Sequence, residues 1–249
     1  MIHCKEVNWH SQHLDRNMNI RIYGSADGTP ILVFPTQDAM SDNFENFGMI
    51  DALANDLGRV QLFCVDTVDT ETWSNVWGDK PWRARRQEAY YTYIISEVLP
   101  FIHMENSSGR IPLAAGCSLG AMHAAIVFFR RPDLFGGVLA LSGVYDAKFF
   151  TDGWMDGTLY ENSPLDFLSN MPADHPYIEL YNQRRIVLCV GQGAWEDEGR
   201  RTTALMGDVL YRKGIHAWVD FWGYDVDHDW AWWKNQFSYF LPFMLGEQV

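Results

Sequence analysis

Five short and nearly uninterrupted apolar runs recur along the chain: Ile31–Phe34, Val60–Val65, Ile111–Ala115, Val138–Leu141 and Ile186–Val190. Runs of this length without polar alternation are what strands buried on both faces look like. Parallel neighbours need crossovers of a dozen residues or more, and the stretches between the runs are long enough to supply them. The pattern therefore predicts an α/β chain with a mostly parallel central sheet and helices on both faces. Apolar residues at helical spacing predict a helix over 43–57, carried by Phe44, Phe47, Ile50, Leu53, Ala54 and Leu57. Further helices are expected at 82–104 with an interruption near Pro100, at 118–130, at 198–213 with a stop near Gly214, and at 230–245. Residues 5–13 and 17–24 alternate, which predicts an antiparallel pair at the sheet edge. His216–Trp222 reads as the last strand, and Pro112 falls early in its own strand, where a missing donor is best tolerated.

Composition narrows the class further. The 249 residues are 47% hydrophobic and 20% charged, which fits one globular domain over 1–249. Within it, residues 143–182 are rich in Gly, Pro, Asp and Asn without a clear period, and predict a small cap-like insertion after a strand end. The net charge of -13 and the lack of a basic cluster longer than Arg83–Arg86 argue against a nucleic-acid partner. No apolar run is long enough to cross a bilayer, and the N-terminal residues lack a signal-peptide core, so a cytoplasmic protein without a membrane partner is expected. The four cysteines, Cys4, Cys64, Cys117 and Cys189, form no CxxC pair and suit a reducing compartment. The sequence leaves a homo-oligomer open.

Gly116-Cys117-Ser118-Leu119-Gly120 matches G-x-S-x-G, directly after an apolar strand and directly before an Ala-rich helix. A serine on so sharp a strand-to-helix turn stands exposed at a helix N-terminus, where the dipole favours a developing oxyanion. Glycine two residues to either side removes the Cβ atoms that would collide there. Ser118 is thus the candidate nucleophile. Cys117 is off the apex of the turn. A mere tight turn remains the bland reading, and flanking strand and helix weigh against it.

The partners follow from order along the chain. With a serine elbow the acid comes next and the histidine last. His123 lies inside the elbow helix, His175 in the insertion and His216 at a strand start, whereas His228 lies in a loop before the final helix. His228 is therefore the candidate general base. The acid should follow Ile186–Val190, where Glu196, Asp197 and Glu198 compete; Glu196 comes soonest after the turn, with Asp197 as the alternative. One oxyanion donor should be the Leu119 amide. The other should come from Pro35-Thr36-Gln37-Asp38; Pro35 has no N–H, and Gln37 is preferred to Thr36. Aromatics make up 15% of the chain and include 11 Trp. Most of these are core material, but Trp195 and Trp230 flank the candidate acid and base and are candidates for substrate binding, with Trp73, Trp77 and Trp154 as further rim candidates. His10 and His13 are three residues apart without a supporting acid cluster, so no metal site is expected.

The elbow, the stretch Arg131-Pro132-Asp133-Leu134-Phe135-Gly136-Gly137-Val138-Leu139-Ala140-Leu141-Ser142-Gly143 and the ending His228-Asp229-Trp230-Ala231-Trp232-Trp233 together resemble the putative esterase family, which contains esterase D, the antigen 85 mycolyltransferases, enterochelin esterases and feruloyl esterases. The resemblance runs from about residue 28 to the C-terminus. It implies an α/β-hydrolase fold and ester chemistry without metal or organic cofactor; the expected function is a serine carboxylic-ester hydrolase acting on a small acyl ester or, given the aromatic faces, an aryl or sugar ester. An acyltransferase of the same fold and a non-catalytic ligand-binding member are the competing readings. The chain departs from many hydrolases in carrying Pro-Thr-Gln where they carry His-Gly or Gly-Gly.

Overall fold

The computed structural model describes residues 2–247. In chain order the elements are β1 (Cys4–Ser11), β2 (Arg16–Gly24), β3 (Thr29–Phe34), α1 (Asn43–Asn46), α2 (Met49–Ala52), β4 (Val60–Val65), α3 (Lys80–Tyr93), α4 (Leu99–Glu105), β5 (Leu113–Cys117), α5 (Leu119–Arg130) and β6 (Gly137–Leu141). They continue with α6 (Gly157–Glu161), α7 (Pro164–Asn170), α8 (Tyr177–Tyr181), β7 (Arg185–Val190), α9 (Asp197–Arg212), β8 (Trp218–Phe221) and α10 (Trp230–Leu245).

One sheet of eight strands runs in the order β1-β2-β4-β3-β5-β6-β7-β8. The edge strands β1 and β2 are antiparallel, β2 meets β4 antiparallel, and every pair from β4 to β8 is parallel. This is the mostly parallel α/β sheet that the apolar runs predicted. Alternate residues of each buried strand feed opposite faces. Leu32, Phe34, Ala114, Val138, Ala140, Ile186 and Leu188 join the core under α3, α5 and α9. Ile31, Val33, Leu113, Ala115, Leu139 and Val187 join the core under α10, against Trp233, Phe237, Phe240 and Leu241.

Three expectations shift. The helix expected over 43–57 is two single turns, α1 and α2, because Gly48 takes φ 74 between them and breaks the ladder. The strand expected at 111–115 runs over 113–117. Pro112 lies before it and lends only its carbonyl, to the Gly136 N–H, so strand pairing begins beyond the proline. The break near Pro100 is a π-helical turn at Ile94–Val98 that lies N-terminal to the proline. Pro100 has no N–H for the carbonyl four residues back, and the wider turn absorbs the mismatch. The insertion at 143–182 holds a 3₁₀ turn at Ala147–Thr151 followed by α6, α7 and α8. Among the described residues no helix is long and apolar enough to cross a membrane.

The topology positions the site. From β3 the chain goes first to β4 on one side and then to β5 on the other. A crevice opens outside the carboxyl ends of the strands at such a reversal. The loop after β3 begins at Pro35 and the turn after β5 is Ser118, so both lie at that crevice.

Candidate active site

Ser118 sits between β5 and α5 at φ 57 and ψ -125, a conformation that non-glycine residues rarely adopt. Strain of this kind costs about 1–3 kcal/mol and persists only where the surroundings enforce it. Here the Ser118 N–H donates to the Leu141 carbonyl at 2.8 Å, and its own carbonyl accepts the Ala121 N–H at 3.0 Å. The flanking glycines are obligatory. A Cβ on Gly116 would lie 2.3 Å from the Gly120 carbonyl, and one on Gly120 would lie 2.4 Å from the Phe34 carbonyl oxygen and 2.5 Å from that of Pro35. Those are backbone atoms of α5, of the end of β3 and of the residue after it, all packed, and cannot retreat. Gly120→Ala is therefore expected to lower stability by about 3 kcal/mol, read as a fall in the urea midpoint. A variant of wild-type stability would mean that the helix can slide away from β3.

His228 reaches the serine from the loop before α10. Its Nε2 lies 2.8 Å from Ser118 Oγ, and its Nδ1 lies 3.1 Å from Glu196 Oε2. A carboxylate can only accept, so Nδ1 carries the proton and Nε2 is left to accept from the serine hydroxyl. The acid loop and the histidine loop are joined directly: the His228 N–H donates to the Ala194 carbonyl at 3.0 Å, and the Ala194 N–H to Asp227 Oδ1 at 2.7 Å. Glu196 is buried, at 1% exposure. Asp197, the alternative acid, has a side chain 93% exposed and paired with Arg200. Glu198 pairs with Arg201.

Two residues of this network were not singled out in the sequence. Ser142, the residue after β6, donates its hydroxyl to Glu196 Oε1 at 2.5 Å and accepts the Trp233 Nε1–H at 3.0 Å. Like Ser118 it has positive φ, 55. Trp233 also packs edge-on against the His228 ring, with centroids 4.8 Å apart. Both oxygens of the buried carboxylate are thus satisfied. The sequence hinted at them only by placing Ser142 at the end of a buried strand and by including both residues in the two stretches that carry the family resemblance, without a role for either.

The oxyanion candidates sort themselves by who is already engaged. The Thr36 N–H donates to Asn43 Oδ1 at 2.9 Å, and Pro35 has none to give. Among the described residues the Gln37 and Leu119 amides have no acceptor. Cys117 is fully buried, and burial pushes its thiol well above the usual range, so it is no thiolate.

The tryptophans divide. Trp195, next to Glu196, is 89% exposed and holds φ 66. Trp230 is half-buried and stacks on Phe47 at 4.9 Å, with Phe44 edge-on at 5.4 Å, so its ring is largely occupied by packing. Trp73 is buried against Phe150, Trp154 is half-buried in the same cluster, and Trp77 is exposed. His10 and His13 face separate acids, Asp15 and Glu97, rather than one another.

A search of curated proteins finds none that matches the chain in sequence. Solved structures match the fold over its whole length. A ferulic acid esterase superposes with a TM-score of 0.73 at 15% identity, covering 98% of both chains. FphF, a fluorophosphonate-binding serine hydrolase of Staphylococcus aureus, gives 0.72 at 18% identity, again over 98% of both. An S-formylglutathione hydrolase from Agrobacterium tumefaciens gives 0.76 at 14% identity over 99% of this chain and 95% of that one. These likenesses establish the fold. The family described as "Putative esterase" matches residues 11–244. With a serine on a strained elbow at the β3–β5 crevice of a mostly parallel sheet, and with that match over nearly the whole sequence, the chain belongs to the putative esterase family of the α/β-hydrolase superfamily.

Proposed function

We propose that the protein is a serine esterase that cleaves carboxylic esters through an acyl-enzyme. The observation that carries this reading is the unbroken hydrogen-bonded chain from Ser118 Oγ through His228 to Glu196. Ser118 Oγ attacks the ester carbonyl while its proton passes to His228 Nε2. Glu196 holds the imidazole in the required tautomer and stabilises the imidazolium, and it stays ionised throughout. The Leu119 and Gln37 amides take the oxyanion, where one such donor is worth about 10²–10³ in kcat. The alcohol departs with the proton from His228 as the tetrahedral intermediate collapses. Water, deprotonated by His228, then attacks the acyl-enzyme; the acid leaves and Ser118 is restored.

The substrate is a small-molecule ester. The insertion over 143–182 packs beside the elbow: Ala147 and Leu159 share a buried cluster with Leu119, Met122 and Trp73, and Phe150 and Trp154 pack against that cluster. Trp195 offers an exposed ring beside Glu196 for contact with substrate. Because the cluster beside Leu119 is filled, a short acyl group should be favoured. Hydrolysis of p-nitrophenyl acetate, butyrate and octanoate by the purified protein tests this. Turnover is expected with acetate fastest and octanoate slowest. A folded protein inert on all three would instead favour a ligand-binding role.

A further inference from the structure

We infer that the turn at Asp69–Ser74 is a strut that aims the Gln37 amide at the reacting carbonyl, with Ser74, Asp69 and His123 as positioning residues. This inference rests on the esterase reading and extends it to residues that never touch substrate.

Gln37 is exposed, in a loop that begins only after β3 ends, and Asp38 beside it has φ 59. An exposed loop residue has many conformations to lose, and an amide free to swing would be a poor oxyanion donor. Its side chain supplies the lateral tie: Gln37 Nε2 donates to Ser74 Oγ at 2.9 Å. Ser74 is fixed in turn. Its N–H and that of Thr72 donate to the Asp69 carbonyl, at 3.0 and 2.9 Å. The next two carbonyls are clamped by one buried side chain: Arg83 Nε donates to the Thr72 carbonyl at 2.7 Å and Nη2 to the Trp73 carbonyl at 3.1 Å.

The anchor of the turn is the side chain of Asp69, which meets His123 Nε2 through Oδ1 at 2.8 Å. Both residues are 1% exposed. This contact is the one side-chain hydrogen bond that ties the 66–74 loop to α5 among the described residues. A buried pair of this kind is weak evidence of added stability by itself, since well-packed apolar residues often do as well. What the pair supplies is register between three elements. His123 lies on α5, five residues after Ser118. Its ring stacks on Phe34, the last residue of β3, at 5.6 Å and 22°. The other face of the junction is Tyr90, edge-on to His123 at 5.1 Å, whose hydroxyl donates to the Asp66 carbonyl at 2.9 Å. The elbow helix, the strand that feeds the oxyanion loop and the 66–74 loop therefore meet at one buried histidine. The distance between nucleophile and Gln37 amide is set there.

The test is steady-state kinetics with p-nitrophenyl acetate and the rate of Ser118 labelling by a fluorophosphonate, for Ser74→Ala, Ser74→Thr and His123→Asn. Ser118→Ala serves as the control for the esterase reading itself. Ser74→Ala removes only the tie. It is expected to lower kcat and the labelling rate about tenfold, part of the loss that follows deletion of an oxyanion donor, with KM within about twofold. Ser74→Thr keeps the hydroxyl and is expected to recover most of the rate. His123→Asn should show the same split between kcat and KM; if it fails to fold, the Ser74 pair decides alone. An active wild type whose Ser74→Ala variant keeps full kcat, or loses only KM, overturns the strut and leaves the esterase reading standing. A wild type that neither turns over nor labels at Ser118 removes both.

Discussion

Ser118→Ala is expected to lower kcat for p-nitrophenyl acetate by a factor of about 10⁴ or more, with the circular dichroism spectrum unchanged. The size follows from how such constellations behave: once the nucleophile is gone the other two members have nothing to activate, and only binding and the oxyanion donors remain. The fold should survive because the serine side chain makes one hydrogen bond, to His228, at a half-buried position. The backbone at φ 57 is set by the glycines on either side and by the Leu141 carbonyl, none of which the substitution touches. A residual rate near wild type would place the chemistry on another group.

The second large effect is expected at the acid. Glu196→Gln should reduce kcat by about 10⁴, as expected when a triad acid becomes an amide. Glutamine can present its NH₂ to Nδ1, which forces the proton onto Nε2 and leaves no base for Ser118. If it presents its carbonyl instead, the imidazolium formed in the transition state has no countercharge. Ser142 sharpens the effect, because its hydroxyl already donates to Oε1. Asp197→Asn, by contrast, should change kcat by less than about twofold. Its carboxylate is in solvent beside Arg200, where an ion pair is worth little. Measuring both variants on one ester separates the two acids. A large loss at Asp197 with none at Glu196 would reverse the assignment.

How far the sequence carries is visible in particular residues. The parallel strands were legible because their apolar runs are continuous, and strand burial on both faces leaves that mark. The order serine, acid, histidine picked Ser118, Glu196 and His228, which the fold brings within hydrogen-bond reach of one another. Phe44 and Phe47 suggested one helix where two turns form, since helical spacing does not register that Gly48 takes positive φ. The roles of Ser142, Trp233 and Ser74 and the partner of His123 were not legible. Each acts through a neighbour 37 to 91 positions away, and pairings at that separation are fixed by strand order rather than by local pattern. His123 was set aside as a base because it lies inside the elbow helix, and only the placement of Asp69 gives it a role. Trp230 read as a rim residue, and its stacking on Phe47 depends on how α10 meets the short turns after β3.

The central claim is that Ser118 is an activated nucleophile, and the most direct measurement is peptide mapping by mass spectrometry after reaction with a fluorophosphonate. The account predicts one adduct, on Ser118, formed rapidly in the wild type and at least about a hundredfold more slowly in His228→Ala, the scale of a general base's contribution. An adduct on any other residue, or labelling of Ser118 at the same rate without His228, would contradict it.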